Sequence, residues 1–322
     1  MNFNSTRIAL LAALIGGFAL HTGRGQSPPP AGRPSASQLP PNVSDQTYRV
    51  SVDLINVFCS VWDKKTSNFI TNLTRDDFSV FEDQKKQEII NFVRETDLPL
   101  TIALLIDTSQ SVAPKLKFEQ EAAINFFHSV LRDRDRAMLV EFDSGVTMVQ
   151  DFTNDPNLLA KQIRTLKAAG GTALYDAITL TCDEKLIRET GRKAIVILSD
   201  GEDLSSRGTF EEALEMAQRA EAIIYSISVN RGGFFGVEGS KEGDRVLKKF
   251  AEESGGRTFT PFKVEELEDS FRQINQELRS QYNIGYLSSN AARDGSYRRI
   301  EIRIAEKDTK VSFRRGYYAP GS

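Results

Sequence analysis

The sequence predicts an α/β fold: a doubly wound, mainly parallel, Rossmann-like sheet inserted in a small, discontinuous β-sandwich-like domain. Three observations predict it. Between residues 99 and 280, short apolar and β-branched runs alternate with amphipathic helical patterns. The flanks, residues 48–98 and 281–320, carry strand patterns only. Neither flank has enough strands to close a sandwich alone, so the two are expected to combine.

Residues 1–26 read as a secretory signal. Arg7 supplies the positive start, and residues 8–20 form an apolar run too short to span a bilayer comfortably. An uncleaved anchor is the alternative. No Cys follows the run, so lipid attachment is not expected, and the mature chain has no membrane span. Residues 27–47 are dense in proline and lack apolar periodicity, which makes them an extended linker.

The first β flank opens with a long strand pattern over residues 49–63. Its alternation slips phase between Leu54 and Ile55, which suggests a bulge. Residues 77–81 and 87–94 read as a hairpin around a polar turn. In the central stretch, residues 115–131 form an amphipathic helix with Phe118, Ala122, Phe126 and Val130 near one face. Residues 137–142 form a strand and 146–152 a short edge strand. Asp155-Pro156 opens a helix with a cap and a first-turn proline, and Thr209 to Glu212 is a capping box before another. Strand 222–229, helix 244–253, strand 257–260 and a long closing helix 264–280 follow. The second flank holds strand patterns at 281–287, 297–304 and 310–318, with an Asp294-Gly295 turn between the first two.

Composition narrows the chemistry. The 322 residues carry a net charge of -3 with both signs interspersed, which leaves no nucleic-acid footprint. There are two histidines, His21 in the signal and His128 on a helix. A Ser-His-Asp triad or a His-rich zinc site is therefore hard to build. Cys59 and Cys182 each share a face with apolar neighbours and are expected to be free, buried thiols.

The candidate site starts at residues 100–111, LTIALLIDTSQS. Asp107, Ser109 and Ser111 place three short oxygen side chains at alternate positions past a buried strand. There they can converge on a hard divalent cation. A turn capped by Asp and Ser is the plain alternative. Two later stretches can complete the site: AAGGTALYD with Thr172, and AIVILSDGED with Asp200. In an open α/β sheet, ligands bind beyond the carboxyl ends of the strands, where all three stretches fall.

In that order these motifs resemble the von Willebrand factor A (VWFA) domain with its metal-ion-dependent adhesion site (MIDAS). The resemblance covers roughly residues 99–278. It implies a metal centre at Asp107, Ser109, Ser111, Thr172 and Asp200. Ser109, Ser111 and Thr172 would bind directly, and Asp107 and Asp200 mainly through water. ELRSQYNIGY and the ending RRGYYAP resemble exported bacterial VWFA-related proteins of acidobacterial type.

The function these readings imply is an exported, metal-dependent protein-binding module, in the periplasm or at the cell surface. Mg²⁺ is the expected ion, with Mn²⁺ or Ca²⁺ able to substitute. Neutral hydroxyl ligands leave its charge poorly neutralised, so a partner's Asp or Glu carboxylate is the expected outside ligand. Phe234 and Phe235, in a glycine-rich loop, are candidate partner-binding anchors at the rim, or else fold into the core. Two other functions are open. One is an envelope scaffold that binds through its β domain with an idle metal site. The other is a metal-dependent enzyme, which is not expected because no general base is available.

Overall fold

One mainly parallel sheet and two antiparallel sheets organise the described residues, 54–95, 98–230 and 240–321, in this computed structural model. Residues 1–53, with the expected signal and linker, lie outside them, as do residues 231–239 with Phe234 and Phe235. In chain order the first flank gives β1 (Leu54–Asp63), β2 (Phe78–Glu82), β3 (Lys85–Gln87) and β4 (Ile89–Glu95). The central stretch gives β5 (Leu100–Asp107), α1 (Leu116–Val130), β6 (Arg136–Phe142), β7 (Val146–Thr153), α2 (Pro156–Ile163), α3 (Leu174–Glu184) and β8 (Arg192–Ser199). It continues with α4 (Phe210–Arg219), β9 (Ala222–Ser228), α5 (Lys241–Ser254), β10 (Thr258–Phe259) and α6 (Val264–Leu278). The second flank gives β11 (Gln281–Leu287), β12 (Tyr297–Ile304), β13 (Thr309–Phe313) and β14 (Gly316–Tyr318).

The central sheet has the order β10-β9-β8-β5-β6-β7, parallel except for β7, which closes the edge antiparallel to β6. Every residue of β5 and β8 is buried, as an unbroken apolar run requires of a strand covered on both faces. Period-two alternation then sorts their side chains. Ile102, Leu104 and Ile106 pack with α1, α2 and α6, while Ala103 and Leu105 pack with α3, α4 and α5. The sheet is therefore doubly wound, in agreement with the sequence. The helix starts also follow local chemistry. Asp155 accepts from Asn157 N at 2.8 Å, and Thr209 and Glu212 close a reciprocal capping box.

The flanks share two antiparallel sheets, β13-β1-β11-β4 and β14-β12-β2-β3. Ile55, Val57, Cys59 and Val61 of the first meet Phe78, Val80, Ile300 and Ile302 of the second in one core. Both cysteines are free and buried, and burial pushes the Cys182 thiol up to about 12. His128 is exposed.

Three local readings change. The β2 hairpin closes on the short β3, through Asp83 and Gln84, both at positive φ as a tight hairpin turn requires. The longer β4 crosses to the other sheet and pairs with β11. Residues 310–318 are two strands in different sheets, because Arg314 turns away between them to Glu221 (3.1 Å) and the Asn56 carbonyl (2.7 Å). From Leu54 onward β1 keeps unbroken register with β11 and β13, with no bulge at Ile55; residues 51–53 lie outside the described set.

Candidate metal centre

The site lies at the carboxyl edge of the central sheet, where β5 and β8 end side by side. From β5 the chain proceeds through α1 to β6 on one side, while β8 lies on the other. The two exits diverge there and leave the crevice that open α/β sheets use for ligands. Asp107 is the last residue of β5, and Asp200 follows β8 directly. Thr172 lies two residues before α3, on a loop fastened to the Asp107 turn. Ala169 N donates to the Thr108 carbonyl (2.7 Å), and Gln110 N donates to that of Gly170 (3.2 Å).

Ser109, Ser111 and Asp200 form one hydrogen-bonded chain. The two serine hydroxyl oxygens are 2.9 Å apart, and Ser111 Oγ donates to Asp200 Oδ2 at 2.6 Å. Asp107 stands behind them. Its Oδ1 accepts from Ser109 N (2.8 Å) and its Oδ2 from Ser199 Oγ (2.6 Å). Thr172 reaches the same edge through its backbone, its carbonyl accepting from Leu204 N and Ser205 N, each at 2.9 Å. Ser111 is exposed, whereas Asp107, Ser109, Thr172 and Asp200 are buried. The cluster is thus open to solvent at one side and closed beneath.

Glycine makes the Asp200 turn possible. Gly201 has φ 77°, and a Cβ there would come within 2.3 Å of the Gly243 carbonyl oxygen. Asn230 supports the turn by donating Nδ2 to the Asp200 carbonyl at 2.6 Å.

Carboxylates dominate the electrostatics, with Lys115 as an opposing charge. Burial lifts the Asp107 carboxyl to about 6 despite hydrogen bonds from Ser109 and Ser199, and Asp200 adds to the rise. Glu119 of α1, also buried, is lifted well above the ordinary carboxylate range, first by burial and then by Asp107, with Lys115 opposing. These residues fit a hard divalent cation. Neighbouring ligands of an octahedral Mg²⁺ stand about 2.9 Å apart, the spacing of the two serine oxygens. Among the described residues no three His, Cys, Asp or Glu side chains converge to ligate one ion, so a cation here must draw on hydroxyls.

Sequence reasoning missed three neighbours of the site. Ser199 orients Asp107 and has no signal beyond its place in the SDG turn. Leu204 sits beside Thr172 with 77% of its surface exposed, and a lone apolar residue in a polar loop was its signal. Glu119 had a clearer one, a carboxylate in helical register with Leu116, Ala123 and Phe126, all buried.

Residues 102–202, which hold all five candidate ligands, match the family described as von Willebrand factor type A domain. This stretch of the chain is therefore similar to a von Willebrand factor type A domain. An uncharacterized protein of Borreliella burgdorferi is 24% identical over 226 residues, 66% of this chain and 64% of that protein. One of Synechocystis is 27% identical over 197 residues, 60% of this chain and 44% of that one. The chain thus spans less than two thirds of the length of either relative. Among solved structures, BatB of Bacteroides thetaiotaomicron matches with TM-score 0.46 and 17% identity, covering 56% of this chain and 97% of that one. Proximal thread matrix protein 1 of the mussel byssus, described with a zinc-occupied MIDAS motif, matches with TM-score 0.49 and 16% identity, covering 61% and 49%.

Proposed function

We propose that this chain is an exported protein-binding module that captures a partner carboxylate through a divalent cation. The observation that carries the reading is the Ser109–Ser111–Asp200 chain, open to solvent above and backed by buried Asp107. Ser109, Ser111 and Thr172 would hold the ion, and Asp107 and Asp200 would supply charge behind them. Mg²⁺ suits this hard oxygen set, with Mn²⁺ or Ca²⁺ as substitutes. A bound cation supplies a positive charge and a position that an outside Asp or Glu side chain can fill.

The protein's own residues do the rest. Ser199 and Ser109 N hold Asp107 in one orientation, so the carboxylate needs no reordering when the site is used. Leu204, exposed beside Thr172, offers an apolar contact next to the carboxylate position. Catalysis is not part of this reading. Both aspartates are engaged in hydrogen bonds, and His128 lies on the exposed side of α1.

Titration calorimetry with Mg²⁺ and Mn²⁺ tests the proposal. The unaltered chain is expected to show saturable heat, and Asp107→Asn to lose it with unchanged circular dichroism. The affinity loss should be at least about a hundredfold, since the variant removes a charge and leaves a buried polar group in its place. If the folded, unaltered chain gives no heat with either ion, the metal reading fails. Interactions would then have to be sought on the β domain.

A further inference from the structure

Helix α3 begins without a cap of its own. Ala173 stands at its N-cap position and makes no side-chain hydrogen bond. The first amides of a helix have no partner within it, and an adjacent Ser, Thr, Asp or Asn ordinarily supplies one. Here the partners come from the loop that follows Asp200. Asp203 Oδ2 accepts from Tyr175 N at 2.8 Å, and Ser206 Oγ accepts from Asp176 N at 3.0 Å. The helix returns the contact. Asp176 Oδ2 accepts from Arg207 N (3.1 Å) and its Oδ1 from Gly208 N (3.0 Å). Ser206 joins the two aspartates, donating Oγ to Asp203 Oδ2 at 2.6 Å while it takes the Asp176 amide.

Residues 203–208 thus form a clasp over the start of α3, and the clasp also holds Thr172. Leu204 N and Ser205 N both donate to the Thr172 carbonyl, at 2.9 Å each. A Cβ at Gly171 would stand 2.5 Å from Ser205 Oγ, so the clasp lies directly on the glycine before Thr172. None of these bonds uses the Thr172 hydroxyl. Thr172 belongs to no strand or helix and follows Gly170, at φ 67°, and Gly171. A glycine pair has more conformational freedom to lose than other residues, so such a loop is costly to order. The turn after β5 ties this loop on one side, through Thr108 and Gln110. The clasp ties it on the other, to the segment that carries Asp200. Capping α3 alone needs one local side chain. Two aspartates and a serine do more, since they join two candidate ligands that come from separate elements.

We propose that Asp203, Ser206 and Asp176 are positioning residues of the metal centre, which fix Thr172 against Asp200 before a cation arrives. They act through Thr172 and not as ligands. This assignment rests on the metal-binding reading above. The glycine loop is ordered when the chain folds, so a cation does not lose affinity to ordering it.

The test uses the full chain, Ser206→Ala and Ser206→Thr. Ser206→Ala removes no charge, so its effect cannot come from the field of the two aspartates. Groups that orient metal ligands typically set affinity by about 10- to 100-fold, so Ser206→Ala should weaken Mg²⁺ binding in calorimetry by about tenfold or more. In metal-free buffer the Leu204 and Ser205 amides of that variant should exchange hydrogen faster. Water-proton relaxation by bound Mn²⁺ should rise, because about one more water takes the place that the Thr172 hydroxyl leaves. Ser206→Thr keeps the hydroxyl and should restore all three readouts. A merely structural role would lower the melting temperature of Ser206→Ala and leave both Mg²⁺ affinity and Mn²⁺ relaxation unchanged, which would overturn this assignment alone. Equal losses in the two variants would overturn it too, since the hydroxyl would then not be the cause. Absence of Mg²⁺ and Mn²⁺ binding in the unaltered chain would overturn the metal reading and this assignment with it.

Discussion

Glu277, in the last turn of α6, is a buried carboxylate with partners. Arg257 Nη1 is 3.3 Å from one oxygen, and the Tyr225 hydroxyl donates to the other at 3.3 Å. Burial lifts its carboxyl to about 7, with Arg257 opposing. The unfolded chain releases this proton near 4.5, whereas the folded chain keeps it until about 7. The group's contribution to stability is therefore fully present below the unfolded value and is lost as pH rises through about 7. Glu277→Gln removes that dependence. In urea unfolding between about pH 5 and pH 8, the unaltered chain should lose stability relative to the variant by up to about 3 kcal/mol. Parallel pH profiles for the two proteins would contradict the shift. Glu277 and Glu119 differ instructively: Glu277 has protein partners for its charge, and Glu119 has none.

The strands of the β domain depend on each other across most of the chain. β1 lies between β11 and β13, and β2 pairs with β12, so both halves of the first flank need the second. Residues 281–321 give the shared core Tyr282, Ile284, Tyr286, Ile300, Ile302, Phe313 and Tyr317. Each large side chain contributes about 1.5–3 kcal/mol on burial, and a whole domain is stable by only about 5–15 kcal/mol. The same deletion removes Tyr286 and Tyr317, which donate to buried Glu82 at 2.9 Å each, and its ion-pair partner Arg298. A chain ending at Leu278 should therefore bind a hydrophobic dye strongly and lose cooperative unfolding of its β portion. Full cooperativity with no dye binding would mean that the first flank folds alone. The two parts also touch. Gly255 closes α5 at φ 94°, and a Cβ there would stand 2.5 Å from Arg314 N, so the segment leading from β13 packs directly on the helix end.

For the whole molecule, no helix among the described residues is long and apolar enough to cross a membrane, and the proposal of export rests on the sequence pattern of residues 1–26. Residues 1–46 fused to a reporter that works only outside the cytoplasm should give an active reporter. Replacing the apolar run at residues 8–20 with polar residues should abolish its activity. Equal reporter activity from both fusions would remove the case for a signal.

Much of the fold could be read locally. A short, mostly apolar run such as residues 100–106 has few stable places except inside a parallel sheet, and short polar residues after it mark the strand end where ligands bind. That logic located Asp107, Ser109, Ser111 and Asp200 at one sheet edge. It failed for β3, too short and polar to show a period; for α1 it gave the helix and its buried Ala122, Phe126 and Val130 but missed Glu119. There the rows containing Phe118 and Glu119 are adjacent on the helix, and either could face the core. Local periodicity distinguishes strand from helix because it depends on neighbours two to four residues away. The sheet a strand joins and the partner of Ser111 (Asp200, 89 residues later) depend on contacts between remote parts of the chain. No local pattern encodes those contacts; packing selects them when the apolar faces close and the remaining charges must find partners.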